Sequence, residues 1–145
     1  MANLFEEFRT VVRALATAGT PFAVCGGLAM SIHAHPRATI DIDLIAPPDA
    51  IGRIAEALAA HGFLRREPTV MHRLTKIVPG DIEVLVLDII EAREGATEGA
   101  WQTRTSMEWD GHTVPVVSRA GLIALKRLRG SPQDTADIAA LEGGA

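Results

Sequence analysis

The chain has a single cysteine, Cys25. It can therefore close no internal disulfide, which fits a reducing cytoplasm. Cys25 lies in an apolar run and reads as a small core residue rather than a nucleophile. No apolar run approaches the ~18 residues of a membrane span, and the first residues are amphipathic rather than a signal segment, so a cytoplasmic protein without a membrane partner is expected. Positive charge is not in excess: 14 Lys and Arg face 18 Asp and Glu, for a formal net charge of -4. That argues against a broad nucleic-acid-binding face but leaves room for a local basic cleft. Gly-x-x-x-x-Gly-Lys-Ser/Thr and Gly-x-Gly-x-x-Gly are both absent, which excludes a P-loop and a Rossmann cofactor site. With one cysteine and no His-Glu-x-x-His, a zinc site is not expected either. Repeats and low-complexity tracts are lacking.

What remains is an ordinary globular composition, with 145 residues, 48% hydrophobic and 22% charged. That predicts one domain spanning 1–145 with enough bulk for a core.

The most informative stretch runs from Phe22 to Ala46. Phe22 to Cys25 is a short apolar strand that stops at Gly26-Gly27, and Leu28 to Ile32 reads as a short helix, with Pro36 barring its continuation. From Ala38 to Ile45 the pattern alternates strictly, with Ile40, Ile42 and Leu44 on one side and Thr39, Asp41 and Asp43 on the other. Residues i and i+2 of a strand share a face roughly 6.5–7 Å apart, so Asp41 and Asp43 point the same way. Two such carboxylates repel, and one must take up a proton unless a cation sits between them. Paired Mg²⁺ ions that clamp the oxygens of a phosphoryl displacement use carboxylates of this kind. Gly26 and Gly27 complement them, because glycines let the backbone approach a phosphate closely and a helix opening there would aim N–H groups at it. Either motif alone is weak; a lone Asp-x-Asp is most often a solvated strand face.

Together, Gly26-Gly27 and Arg37-x-Thr39-x-Asp41-x-Asp43-Leu44 resemble the core signature of the nucleotidyltransferases that share a fold with DNA polymerase β. The form is similar to the minimal AbiEii-type bacterial enzymes, several of which are toxins of toxin–antitoxin or abortive-infection systems. The resemblance implies an α/β (α+β) fold, a short mixed β-sheet flanked by helices with a C-terminal helical pair. It also implies transfer of a nucleoside monophosphate from an NTP to an acceptor hydroxyl with release of pyrophosphate, using Mg²⁺ or Mn²⁺. It places Arg37 and Thr39 beside the nucleotide with Gly26 and Gly27, and suggests a cognate antitoxin. The acceptor is left open among tRNA, a protein and a small molecule.

The rest of the chain supplies supporting parts. Asn3 to Ala18 and Asp49 to His61 read as amphipathic helices, capped by Asn3 and ended by Gly19 and Gly62. Arg65 and Arg66 read as solvated charge, with phosphate contact as the minor reading. Thr69 to Val78 and Ile82 to Ile90 read as strands joined by Pro79-Gly80-Asp81, the second apolar enough to be buried on both faces. Glu83 and Asp88 in that strand need a partner or a metal. They are five residues apart and face opposite ways, so at most one joins Asp41 and Asp43. The family places a third carboxylate on a neighbouring strand, just before a hydrophobic pair; Leu87-Asp88-Ile89-Ile90 fits, and Asp88 is preferred over Glu83 as catalytic and metal residue.

Ala92 to Thr105 reads as a loop with a short helix around Trp101, which is expected to be buried, and Arg104 is a further candidate for phosphate. Ser106 to Trp109 and His112 to Val117 form a hairpin across Asp110-Gly111. Ser118 caps a helix through Arg129, and Ser131-Pro132 restarts one through Leu141. By resemblance Lys126 points toward the triphosphate or the acidic cluster, while Asp134 and Asp137 anchor the last two helices. Two other functions would use the same residues: an inactive module of this fold that binds nucleotide or a partner protein, and a phosphohydrolase acting on water.

Overall fold

The computed structural model describes residues 3–36, 39–67, 72–78 and 84–143. Within them, six α-helices surround one six-stranded mixed sheet of order β3-β4-β2-β1-β6-β5. Helix α1 (Leu4–Ala18) opens where the Asn3 side chain accepts from the amides of Phe5 and Glu6, and closes at Gly19 with φ 69°. Its apolar stripe, Phe8, Val11 and Leu15, has no exposed surface. Strand β1 (Ala23–Cys25) leads directly into α2 (Gly26–Ile32), so that helix begins at the first glycine, two residues earlier than expected.

Strand β2 (Asp41–Ala46) is antiparallel to β1 and parallel to β4 (Val84–Glu91), which pairs on its other side with β3 (Arg73–Ile77). The alternation in the sequence suggested a strand from Ala38, yet Ile40 lies outside it and is 80% exposed. β1 is too short to reach that far, and pairing with β4 starts only at Asp41 opposite Val86. Nor is β4 buried on both faces. Leu85, Leu87 and Ile89 are buried, but Val86, Asp88 and Ile90 are only half-covered, because their face lines the cleft described below. The opposite face packs toward α1, where the Lys76 ammonium donates to both oxygens of Glu7 at 3.0 Å.

A 3-10 turn (Pro48–Ala50) precedes α3 (Ile51–Ala59), which is shorter at both ends than expected; Gly62 still takes the left-handed conformation at φ +89°. α4 (Gly95–Gln102) carries Trp101 into the core. β5 (Thr105–Trp109) and β6 (His112–Val116) form the hairpin, and Asp110 and Gly111 have φ of 52° and 77°, the positive pair a two-residue turn demands. α5 (Arg119–Arg129) starts at the Ser118 cap and stops at Gly130, and α6 (Pro132–Gly143) follows at once. Ser131 and Asp134 cap that last helix reciprocally.

Candidate active site

The register of the sheet assembles the site. Asp43 stands between Cys25 on β1 and Asp88 on β4, and Asp41 lies two residues back on the same face. Parallel pairing puts opposed side chains on one face, so three carboxylates share the open side of the two strands. Asp43 fits there only because residue 26 is glycine. A Cβ on Gly26, whose φ is +66°, would stand 2.2 Å from Asp43 Oδ2 and 2.8 Å from its Cγ.

The carboxylates are held under electrostatic stress. Burial and then the Asp88 and Asp41 charges push Asp43 up to about 6, with Arg129 and Lys126 only partly opposing them. Asp41 is raised for the same reasons, burial first and Asp88 next, against Arg73 and Arg129. Asp88 is engaged: the Arg73 guanidinium donates to Oδ1 at 2.8 Å and to Oδ2 at 3.0 Å. Among the described residues no three His, Cys, Asp or Glu side chains stand grouped as a ready metal cage. The donor chemistry nevertheless fits a hard divalent cation, since Asp41 and Asp43 are mutually repelling oxygen donors of the kind Mg²⁺ takes.

Two cavities meet at Asp43 and Arg129, each of about 280 Å³. One is polar, bounded by Gly27, Thr39, Asp41 and Gln133. The other is mainly apolar, bounded by Cys25, Ile90, Leu122, Leu125 and Leu128, with Gly26 at its edge. Gly26, Gly27 and Thr39 thus border the cleft, the Thr39 hydroxyl lying 3.4 Å from the Asp41 carbonyl oxygen. Burial pushes the Cys25 thiol up, which suits a core residue. Arg37 and Glu83 lie outside the described residues.

Lys126 differs from expectation. It lines the apolar cavity but is 3% exposed, and its ammonium donates to Asp137 at 2.8 Å, with Asp134 at 3.7 Å. A buried ammonium must be paired, and α6 supplies the pair, so Lys126 reaches Asp43 only through space. Asp134 and Asp137 do join the two helices. Arg129, with both Asp134 oxygens at 2.7 Å, and Ser131 hold the Asp134 carboxyl far below the usual carboxylate range.

Other expected contacts are spoken for. Arg104 stacks 3.7 Å from the Trp101 ring centroid, and Arg66 donates to the Thr75 hydroxyl. Sequence reasoning missed Arg73 and Arg129 as parts of the site. Only the β3–β4 register and the packing of α5 and α6 bring them to the carboxylates, and no spacing in the sequence marks them.

Gly26→Ala is expected to lose about 2–3 kcal/mol of stability, combining a left-handed alanine with the Asp43 clash. A urea melt checks it; in an Asp43→Gly background, where the clashing atoms are gone, the loss should fall to about 1 kcal/mol.

The model of the family described as "Nucleotidyl transferase AbiEii toxin, Type IV TA system" matches residues 9–129. No curated protein matches the chain. Among solved structures, the antibiotic-resistance nucleotidyltransferase ANT(2")-Ia, in complex with adenylyl-2"-tobramycin, aligns at 15% identity with a TM-score of 0.69, covering 94% of this chain and 86% of that one. The lincosamide antibiotic adenylyltransferase LnuA, lincomycin-bound, aligns at 14% identity with a TM-score of 0.63, over 94% of this chain and 95% of that one. TM1012 of Thermotoga maritima, a nucleotidyltransferase candidate, aligns at 15% identity with a TM-score of 0.64, over 97% and 93%. At such identities these likenesses establish the fold alone.

Proposed function

The chain belongs to the AbiEii nucleotidyl transferase family, and from that premise we propose that it transfers a nucleoside monophosphate from an NTP to an acceptor hydroxyl. The observation that carries this reading is the seat of Asp43. It is opposite Asp88, two residues from Asp41, raised to about 6 by burial and by both neighbours, and open to two cavities. Three carboxylates on one open face, of which only Asp88 is bonded to a guanidinium among the described residues, are an arrangement that a divalent cation would relieve, since each half-buried charge costs stability.

Asp41 and Asp43 would hold Mg²⁺ or Mn²⁺, with Asp88 completing the site. The bound ion supplies Lewis-acid charge for the phosphoryl oxygens. Gly26 and Gly27 let the backbone come close to the phosphates, Thr39 offers a hydroxyl in the polar cavity, and Arg129 adds positive charge where the cavities meet. Arg37 and Lys126 contribute charge to the phosphates in this reading, Lys126 through space. In the transfer the acceptor oxygen bonds to the α-phosphorus as the bond to the bridging oxygen breaks. Pyrophosphate leaves, and the hydroxyl proton passes to a carboxylate of the Asp88 position. The polar cavity suits the triphosphate, and the apolar one a less polar part of nucleotide or acceptor.

Family membership also supports a role as the toxin of a toxin–antitoxin pair with a cognate antitoxin as partner. The acceptor is a tRNA, a protein hydroxyl or a small molecule. None of the described helices is long and apolar enough to cross a membrane, in keeping with a cytoplasmic site of action. Calorimetric titration with each NTP, with and without Mg²⁺, followed by product analysis, tests the reaction class. Mg²⁺-dependent binding with pyrophosphate release in the presence of cell extract is expected. Free nucleotide would mean a hydrolase, and binding without product a binding module.

A further inference from the structure

Arg73 is the one guanidinium among the described residues bonded to the carboxylate cluster, and its geometry is specific. It sits directly opposite Asp88 in the antiparallel β3–β4 ladder. Its Nε and one terminal nitrogen take one Asp88 oxygen each, at 2.8 and 3.0 Å. Such a fork is among the strongest of charge-assisted contacts. Arg73 is also near enough to lower Asp41. The cations that act on Asp43 are Arg129 and Lys126, and these are directly engaged by Asp134 and Asp137.

The charge count is informative. Asp41, Asp43 and Asp88 carry three negative charges when ionised, and Arg73 cancels one. Two remain, the charge of one divalent ion. A second ion that used Asp88 would have to break at least one of the two guanidinium bonds.

We infer that Arg73 is a positioning residue that occupies Asp88 in the nucleotide-free protein and restricts the cluster to one tightly held divalent ion. This rests on the nucleotidyltransferase reading of the site but goes beyond it, because it assigns an ion count to a side chain that no motif marks. A second ion then enters only as Arg73 lets go, so Asp88 becomes available when a triphosphate brings negative charge to attract both.

The full chain serves for the test. Mn²⁺ is titrated into the wild type, Arg73→Met, Arg73→Gln and Asp43→Asn, with free Mn²⁺ followed by electron paramagnetic resonance and the fold followed by circular dichroism. One ion is expected on the wild type, lost in Asp43→Asn. Arg73→Met and Arg73→Gln should take up a second ion at least tenfold more tightly than the wild type does. Folded Arg73 variants that stay at one ion, like a wild type that already binds two of similar affinity, would overturn the role and leave nucleotidyl transfer standing. No Mn²⁺ on any of the proteins would overturn both. A merely structural Arg73–Asp88 cross-strand pair would change the melting temperature without moving the ion count.

Discussion

Asp43→Asn is expected to lower nucleotidyl transfer about 10³-fold while making the metal-free protein more stable. The loss follows from removing the charge that holds the cation: several kcal/mol of transition-state stabilisation, at 1.36 kcal/mol per tenfold, is of that order. The gain follows from the same residue's environment. Asp43 is raised from 3.8 to about 6 by burial and by Asp88 and Asp41. Its folded form therefore binds a proton that the unfolded chain has already lost between those values, and stability falls as pH rises through that window. Above it, ionised Asp43 costs about 2–3 kcal/mol, which asparagine would not. Thermal melts in chelator at pH 8 should place the variant roughly 5–10 °C higher, with the difference vanishing near pH 4. Mg²⁺ should narrow the gap by stabilising only the wild type. A variant that loses activity and stability together would show that Asp43 serves the fold.

Lys126→Met is expected to cost about 3–5 kcal/mol of stability, the usual penalty for removing one member of a buried ion pair. Lys126 is 3% exposed and its ammonium donates to Asp137, with Asp134 alongside. Methionine keeps the stem but removes the ammonium that bonds Asp137, to which Gln133 also donates. Urea unfolding measures the loss, and NTP titration of the folded fraction separates this role from direct phosphate binding. A helix-anchoring lysine leaves the KM for NTP within about threefold of wild type. A phosphate ligand would raise KM more than tenfold and leave the urea midpoint in place. The wider C-terminal network gives the reason to expect the first outcome. Arg129–Asp134 and Arg127–Glu142 also tie α5 to α6, but their arginines are exposed, whereas the Lys126–Asp137 link is buried at both ends.

The sequence carried Asp41 and Asp43 plainly, because the side-chain period of a strand is two and their spacing is two. The caps were equally legible: Asn3, Ser118, Gly130 and the Asp110-Gly111 turn each act through backbone groups within a few residues, and local chemistry decides them. Asp88 needed the family resemblance to be preferred, and only the β2–β4 register sets it opposite Asp43. Gly26 was legible as a point of close backbone approach, but the atom that approaches is the Asp43 carboxylate, which no reading of a Gly-Gly pair contains.

Ile40 shows the limit of alternation, which began before the first residue that has a partner strand. Lys126 was visible as a charge on an apolar helix, but its direction was set by carboxylates on the next helix. Arg73 and Arg129 were not legible at all. In the sequence each is one of 14 Lys and Arg, and only β-register and helix packing tie them to Asp88 and Asp134.

The most direct test of the central claim is label transfer. The full chain and its Asp41→Ala/Asp43→Ala variant are incubated with each α-³²P-labelled NTP, Mg²⁺ and total cell extract. Label on one RNA, protein or small-molecule species, with the wild type alone, is the predicted result and identifies the acceptor. A folded wild type that transfers no label from any nucleotide, or a variant that transfers as much, would contradict the account.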